Sequence, residues 1–196
     1  DVKIQPDGEI SVKGESIFKS YYNNEELTQE AFTEDGYFKT GDIGFIDEEG
    51  FLKITDRKKE MFKTSGGKYI APQIIENLAK SSKFIERIMV VGDGEKMPCA
   101  IVQPDFNFAK NWAIIKHYNI GETPEQMSQD PKLKARIEKE IAKINTSLGN
   151  WEQIKKIELS PEIWSIEGGE LTPTLKLKRK NIKEKYIALY NKLYEQ

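Results

Sequence analysis

The chain has 196 residues, 38% of them hydrophobic, and its 30 Lys and Arg against 32 Asp and Glu leave a formal net charge of −2. That is apolar material for one ordinary core, or for a small domain plus part of another, and the near-neutral balance excludes a global electrostatic footprint for nucleic acid or an anionic membrane. A single cysteine, Cys99, excludes an internal disulfide and a multi-cysteine metal site.

No apolar run approaches the ~18 to 20 residues that span a bilayer. The start, Asp1-Val2-Lys3-Ile4, is neither a signal peptide nor an initiator methionine, so the expectation is a cytoplasmic chain cut from something longer. In chain order, residues 1 to about 55 read as β-rich: Glu9-Ile10-Ser11-Val12-Lys13 and Ser16-Ile17-Phe18 lie between turn signals such as Asp7-Gly8. Asn24 to Phe32 reads as a short helix that starts at the polar Asn23-Asn24 pair. Gly44-Phe45-Ile46-Asp47 and Phe51-Leu52-Lys53-Ile54 flank Glu48-Glu49-Gly50 as a hairpin.

After Asp56 the charged run Arg57-Lys58-Lys59-Glu60 leads into Lys63-Thr64-Ser65-Gly66-Gly67-Lys68, too polar and glycine-rich for core, and the domain boundary is placed there, dividing 1–56 from 57–196. Pro72 opens a helix with Ile74, Ile75, Leu78 and Ala79 on one face. Ile88-Met89-Val90-Val91 and Ala100-Ile101-Val102 make two apolar strands around Gly92-Asp93-Gly94, with Cys99 as a buried strand thiol. Two helices follow, one with Phe108, Trp112 and Ile115, the other opened by Asp130-Pro131 and carrying Leu133, Ile137, Ile141, Ile144 and Leu148. A strand near Ile154 to Leu159, the turn-rich stretch Glu167 to Thr174, and a last helix with Ile182, Tyr186, Leu189, Tyr190 and Leu193 on one face complete an α+β domain whose strands are expected to be covered by helices on one side.

Three segments offer chemistry. In Tyr37-Phe38-Lys39-Thr40-Gly41-Asp42 a carboxylate follows a threonine-glycine turn at the mouth of a strand; Asp42 can accept hydrogen bonds from a vicinal diol, although taken alone it reads first as a turn aspartate capping its own backbone. Asp56 to Glu76 combines the planar fork of Arg57 with Gly66 and Gly67, which permit close backbone approach, and equally reads as a solvated linker face. It does not match a GxxxxGK[ST] phosphate loop, because Tyr69 follows Gly66-Gly67-Lys68. Leu171-Thr172-Pro173-Thr174-Leu175-Lys176-Leu177-Lys178-Arg179-Lys180 puts Lys176 on a loop just before a helix, and equally reads as a basic helix start or, with Lys183 and Lys185, as a nucleic-acid patch, although no aromatic stacking platform surrounds it.

In order and spacing these segments resemble the adenylate-forming superfamily of acyl-CoA synthetases, luciferases and peptide-synthetase adenylation domains. Tyr37 to Asp42 is similar to its aromatic-x-T-G-D segment, Asp56 to Glu76 to its hinge and glycine loop, and Lys176 to Arg179 to its late K-x-x-R motif. Long-chain fatty acid ligases look most alike, through Asp56-Arg57-Lys58-Lys59-Glu60, Trp151-Glu152-Gln153-Ile154 and Leu171-Thr172-Pro173-Thr174-Leu175-Lys176.

The resemblance implies an α+β fragment: residues 1–56 as the β-rich end of the large N-terminal domain, and 57–196 as its small, mobile C-terminal lid. It implies ATP-dependent conversion of a fatty acid to an acyl-adenylate, then transfer to coenzyme A with release of AMP. Asp42 and Arg57 would contact the ribose, Lys176 would bridge substrate carboxylate and phosphate, and Lys59 would be the hinge. Gly66 and Gly67 would line the pantetheine tunnel, and Lys63 would act in the thioester step. ATP, coenzyme A and Mg2+ are implied as cofactors, with magnesium ligands outside this chain; the expected partners are these small molecules and the missing N-terminal domain, with no nucleic acid and with peripheral membrane association of the full-length enzyme left open. The family's upstream Ser/Thr/Gly-rich phosphate loop and Tyr-Gly-x-Thr-Glu segment do not occur here, so the fragment alone is expected to be inactive. A carrier-protein acceptor, and a stand-alone module binding through Lys176 to Lys185, are the alternatives.

Overall fold

A computed structural model describes residues 1–195 and divides the chain into two compact units, one spanning Asp1–Met61 and a larger one that begins at Phe62. The smaller unit is a four-stranded antiparallel sheet in the order β1 (Val2–Ile4), β2 (Glu9–Val12), β3 (Phe38–Ile46), β4 (Leu52–Arg57). Between β2 and β3 runs α1 (Glu25–Ala31), which starts as its polar cap dictates: the Asn24 side chain accepts the Leu27 amide at 2.9 Å. The turn at Asp47 closes the β3–β4 hairpin, with Gly50 N donating to Asp47 O at 2.9 Å. Ser16-Ile17-Phe18, expected as a strand, is instead a turn and irregular chain. Its aromatic residue explains the departure, because Phe18 packs edge-on against Phe32 and Phe38 at centroid separations of 5.6 and 5.0 Å rather than pairing in a ladder.

The larger unit opens with a two-residue hairpin, β5 (Phe62–Lys63) against β6 (Tyr69–Ile70), inside the stretch read as loop. There follow α2 (Pro72–Ala79), β7 (Ile85–Val91), β8 (Cys99–Pro104), α3 (Phe106–Ile115), α4 (Pro124–Gln129), α5 (Pro131–Asn145), β9 (Ile157–Leu159), α6 (Arg179–Lys185) and α7 (Ile187–Tyr194). The sheet order is β7-β8-β9, antiparallel then parallel. Caps fix the helix starts: Asp130 accepts the amides of Lys132 and Leu133 with Pro131 in the first turn, and Thr123 and Gln126 form a reciprocal capping box ahead of α4.

Alternation along the two long strands decides the layering. Ile88, Val90, Ala100 and Val102 enter one core with Ile75, Phe106, Leu133, Ile137 and Ile141, whereas Met89, Val91, Cys99 and Ile101 enter a second with Trp164, Leu171, Ile182, Tyr190 and Leu193. Helices therefore cover both faces of the sheet, correcting the expected one-sided cover. The final helix is also two: Tyr186, at φ −106° and ψ 35°, separates α6 from α7 while Ile182, Tyr190 and Leu193 keep a common buried side. No helix among the described residues is long and apolar enough to cross a membrane.

Candidate functional site

Asp42 does not stand at the mouth of a strand. It lies within β3, directly opposite Arg57 of β4, and the register brings Arg57 Nε to 2.7 Å from Asp42 Oδ1. Cross-strand neighbours on one face meet in this way, so the two residues singled out for a ribose form one ion pair. Side chains shape the irregular stretch of β3 around it. Thr40 Oγ donates to Ile10 O at 2.7 Å and accepts the Asp42 amide at 3.1 Å, and Gly41 occupies φ +75°, where a side chain would be strained.

Buried Glu9 holds that stretch of β3 to the end of β4. Its Oε1 accepts the Gly41 amide at 3.0 Å and its Oε2 meets Lys58 Nζ at 2.7 Å, while the Lys58 amide donates to Gly41 O at 2.8 Å. Hydrogen bonds to Asp7 and Glu9 hold the Lys58 ammonium above the ordinary lysine value. Lys59 follows in an exposed turn, closed by the amides of Glu60 and Met61, both donating to Arg57 O at 2.9 and 3.1 Å.

Lys63, Gly66 and Gly67 share the β5–β6 hairpin. Lys63 is opposite Tyr69, its ammonium 5.4 Å from the ring centroid, and the Gly67 amide donates to Thr64 O at 2.8 Å. Gly67 needs glycine, since its φ is +79°. Gly66 does not need it for the fold: its φ is ordinary, and a Cβ there would come no nearer than 4.0 Å to Thr64 Oγ. The Ser65 amide ties the hairpin to Glu95 O at 2.8 Å.

Lys176 sits on a loop closed by a bridge between Leu171 and Leu177. Its backbone is fixed at both polar groups, because Lys176 N donates to Thr172 Oγ at 3.0 Å and Lys176 O accepts the Thr172 amide at 2.8 Å. Its side chain is exposed and has no hydrogen-bonding or ionic partner among the described residues. Leu175 beside it has φ +60°, a conformation that costs a bulky residue about 1–3 kcal/mol and persists only where the surroundings impose it. Three positions on, Arg179 is used oppositely: NH2 meets Glu76 Oε2 of α2 at 2.7 Å, NH1 donates to Val90 O at 3.4 Å, and Glu76 Oε1 accepts Val90 N at 2.9 Å.

Asp42 and Arg57 are thus brought together, as are Lys63, Gly66 and Gly67, while no described hydrogen bond or ion pair joins Lys176 to that hairpin. The sequence reading missed Glu9, Glu76 and Glu170, the carboxylates that hold these segments; each is one Glu among many, and only a buried partner distinguishes it. Among the described residues no group of three or more His, Cys, Asp or Glu could hold a metal ion.

The chain thus carries a Thr-Gly-Asp stretch in β3 of its first unit and a lysine loop with a fixed backbone in its α+β second unit, the segments whose order resembles adenylate-forming enzymes. Residues 60–196 match the family model of the AMP-binding enzyme C-terminal domain, and the chain belongs to that family. It is 39% identical over 195 residues to Long-chain-fatty-acid--CoA ligase FadD15 of Mycobacterium tuberculosis, covering 97% of this chain and 32% of the relative. It is 39% identical to Long-chain-fatty-acid--CoA ligase 6 of Mus musculus, covering 96% and 27%. Among solved structures it matches the A-PCP didomain of carboxylic acid reductase from Segniliparus rugosus in complex with AMP, with TM-score 0.76, 26% identity, and cover of 96% of this chain and 25% of that one. The chain thus spans about a quarter to a third of the length of these curated relatives.

Proposed function

We propose that this chain is the C-terminal part of an ATP-dependent, AMP-forming ligase that activates a long-chain fatty acid and transfers it to coenzyme A. In the first step a fatty carboxylate oxygen bonds to the α-phosphorus of ATP and pyrophosphate leaves; in the second the thiol sulfur bonds to the acyl carbon and AMP leaves. The observation that carries the reading is Lys176, whose backbone is fixed while its side chain is exposed and has no ionic partner among the described residues. A cation so rooted suits a reaction in which two anions must meet, because its charge offsets the repulsion at the moment of bond formation. The names of the relatives support the fatty acid as substrate.

In this reading Asp42 and Arg57 contact the ribose hydroxyls, Lys59 is the hinge, and Lys63 with Gly66 and Gly67 serves the thioester step. Gly66 supports the last assignment, since its fold requires no glycine and a ligand's close approach would. Magnesium would be held by residues outside this chain.

The test is expression of the complete open reading frame with the two half-reactions assayed separately. Lys176→Ala should lower pyrophosphate exchange at least about tenfold and spare thioester formation from supplied acyl-adenylate; a smaller loss removes the role given to the lysine. The 196-residue chain alone should form no acyl-CoA. The similarity to an adenylation domain joined to a carrier favours a second reading with a carrier-protein acceptor, which is adopted if a pantetheinylated carrier accepts the acyl group and coenzyme A does not.

A further inference from the structure

Glu170 is a carboxylate with 1% of its side chain exposed, a placement that costs several kcal/mol unless partners compensate. Its Oε1 lies 2.5 Å from Lys185 Nζ and accepts Tyr186 Oη at 3.2 Å, and its Oε2 accepts the Ser165 amide at 3.2 Å. Burial opposes the charge, but these hydrogen bonds overcome it and hold the carboxyl below the ordinary glutamate value. Lys185 also reaches Glu162 at 2.7 Å, and the two carboxylates hold its ammonium well above the usual lysine value.

The same residue forms the base of the Lys176 loop. Glu170 O accepts the Lys178 amide at 2.8 Å, and Leu171, the next residue, bridges Leu177 across the loop. The chain has shaped itself around the carboxylate: a Cβ at Gly168 would fall 2.3 Å from Glu170 Oε2. Apolar residues of the same volume often bury as well or better, so stability alone does not account for a buried ion pair at this position.

We propose that Glu170, with Lys185 as its counter-ion, is the positioning residue for Lys176, tying the root of that loop to the last turn of α6. The inference rests on the ligase reading above. Glu170 touches no reacting atom in it and acts only through the lysine's backbone.

The experiment uses the complete enzyme with Glu170→Gln, which keeps shape and removes charge, and with Gly168→Ala and Lys185→Met as independent routes should the first fail to fold. We expect adenylation kcat to fall about tenfold or more with the KM for ATP changed less than about threefold, and thioester formation from supplied acyl-adenylate to stay within about twofold. Amide exchange at Lys176 and Lys178 should accelerate, and Lys185→Arg should restore most of the adenylation rate. Unchanged adenylation and exchange overturn the inference, as do equal losses in both half-reactions, which mark a merely structural role. Lys176→Ala runs in parallel: if it leaves adenylation intact, the ligase reading of the lysine fails, whereas if it abolishes adenylation and Glu170→Gln does not, the inference alone fails.

Discussion

Replacing Gly44 with alanine should open the strand pair that carries Asp42 and Arg57. A Cβ at Gly44 would lie 2.3 Å from the Lys53 carbonyl oxygen and 2.8 Å from Ile10 Cδ1. The first obstacle is backbone and cannot rotate away, so β4 must move by about 1 Å to restore van der Waals distance. That movement strains the β3–β4 ladder around Gly44↔Ile54 and Phe45↔Lys53, where loss of two hydrogen bonds costs about 0.5–1.5 kcal/mol each, and overpacking against Ile10 adds about 1–3 kcal/mol. The sum is about 2–6 kcal/mol of local destabilisation. Gly14 is the control, because no atom lies within 4 Å of its would-be Cβ and its φ is ordinary; Gly14→Ala should stabilise by about 0.4–1 kcal/mol. All three tryptophans, Trp112, Trp151 and Trp164, lie beyond Phe62, so their fluorescence does not report on this sheet. Amide hydrogen exchange does, and at about 1.4 kcal/mol per factor of ten the amides of Gly44–Ile46 and Leu52–Ile54 should exchange about 30-fold faster or more. Exchange within about threefold of the parent, or equal acceleration in Gly14→Ala, would refute the reasoning.

Leu133→Ala removes a fully buried side chain of α5 and should cost about 2–5 kcal/mol, read by urea denaturation with tryptophan fluorescence, which does report on this unit; a cost below 1 kcal/mol would mean the core around Ile137 collapses into the space. The Asp35 carboxyl should titrate at about 2, held down by hydrogen bonds from Lys3 and Thr33, and Lys3→Ala should raise it toward 3.8 in a carboxyl NMR titration. Because the folded value is depressed, its contribution is present above pH 3.8 and lost as pH falls through about 2. Tyr186 should ionise only near pH 12, chiefly because it is buried, so its contribution is present below pH 10 and lost as pH rises through 12; ultraviolet titration showing a midpoint at 10 would remove the effect.

Much of the fold is legible in the sequence because its cause is local. Asp130-Pro131 starts α5 through capping hydrogen bonds, and the spacing of Leu133, Ile137, Ile141 and Ile144 is the buried face itself. The continuous run Ile88-Met89-Val90-Val91 signals a strand covered on both faces, but nothing local says which helices do the covering, and the expectation of one-sided cover fails there. The break at Tyr186 is likewise illegible. No Gly or Pro marks it and the apolar period runs through it, whereas the contacts that hold it, Lys185 and Tyr186 on Glu170, come from the chain 15 and 16 residues earlier. The site follows the same division. Motif order put forward Asp42, Arg57 and Lys176 as candidates, but the ion pair of the first two depends on strand register, and Glu9 and Glu170 are recognised only once they are seen to be buried.

Lys176 and Arg179, three residues apart, show how one basic stretch supplies two physically different cations. Arg179 has its head fixed, held by Glu76 and the Val90 carbonyl, and so joins α6 to α2 and β7. Lys176 has its root fixed and its head exposed: Thr172 holds both backbone groups, Leu175 beside it stays at φ +60°, and the ammonium has no described partner. Were the ammonium paired within its own unit, a substrate would have to break that pair before gaining anything from the charge; were the root mobile, the entropy of ordering it would oppose binding. A strained, twice-bonded root with an unpaired head avoids both costs. That arrangement separates the proposed catalytic lysine from Arg179, and its exposure separates it from Lys178, whose backbone is likewise bonded at both groups but which is partly buried.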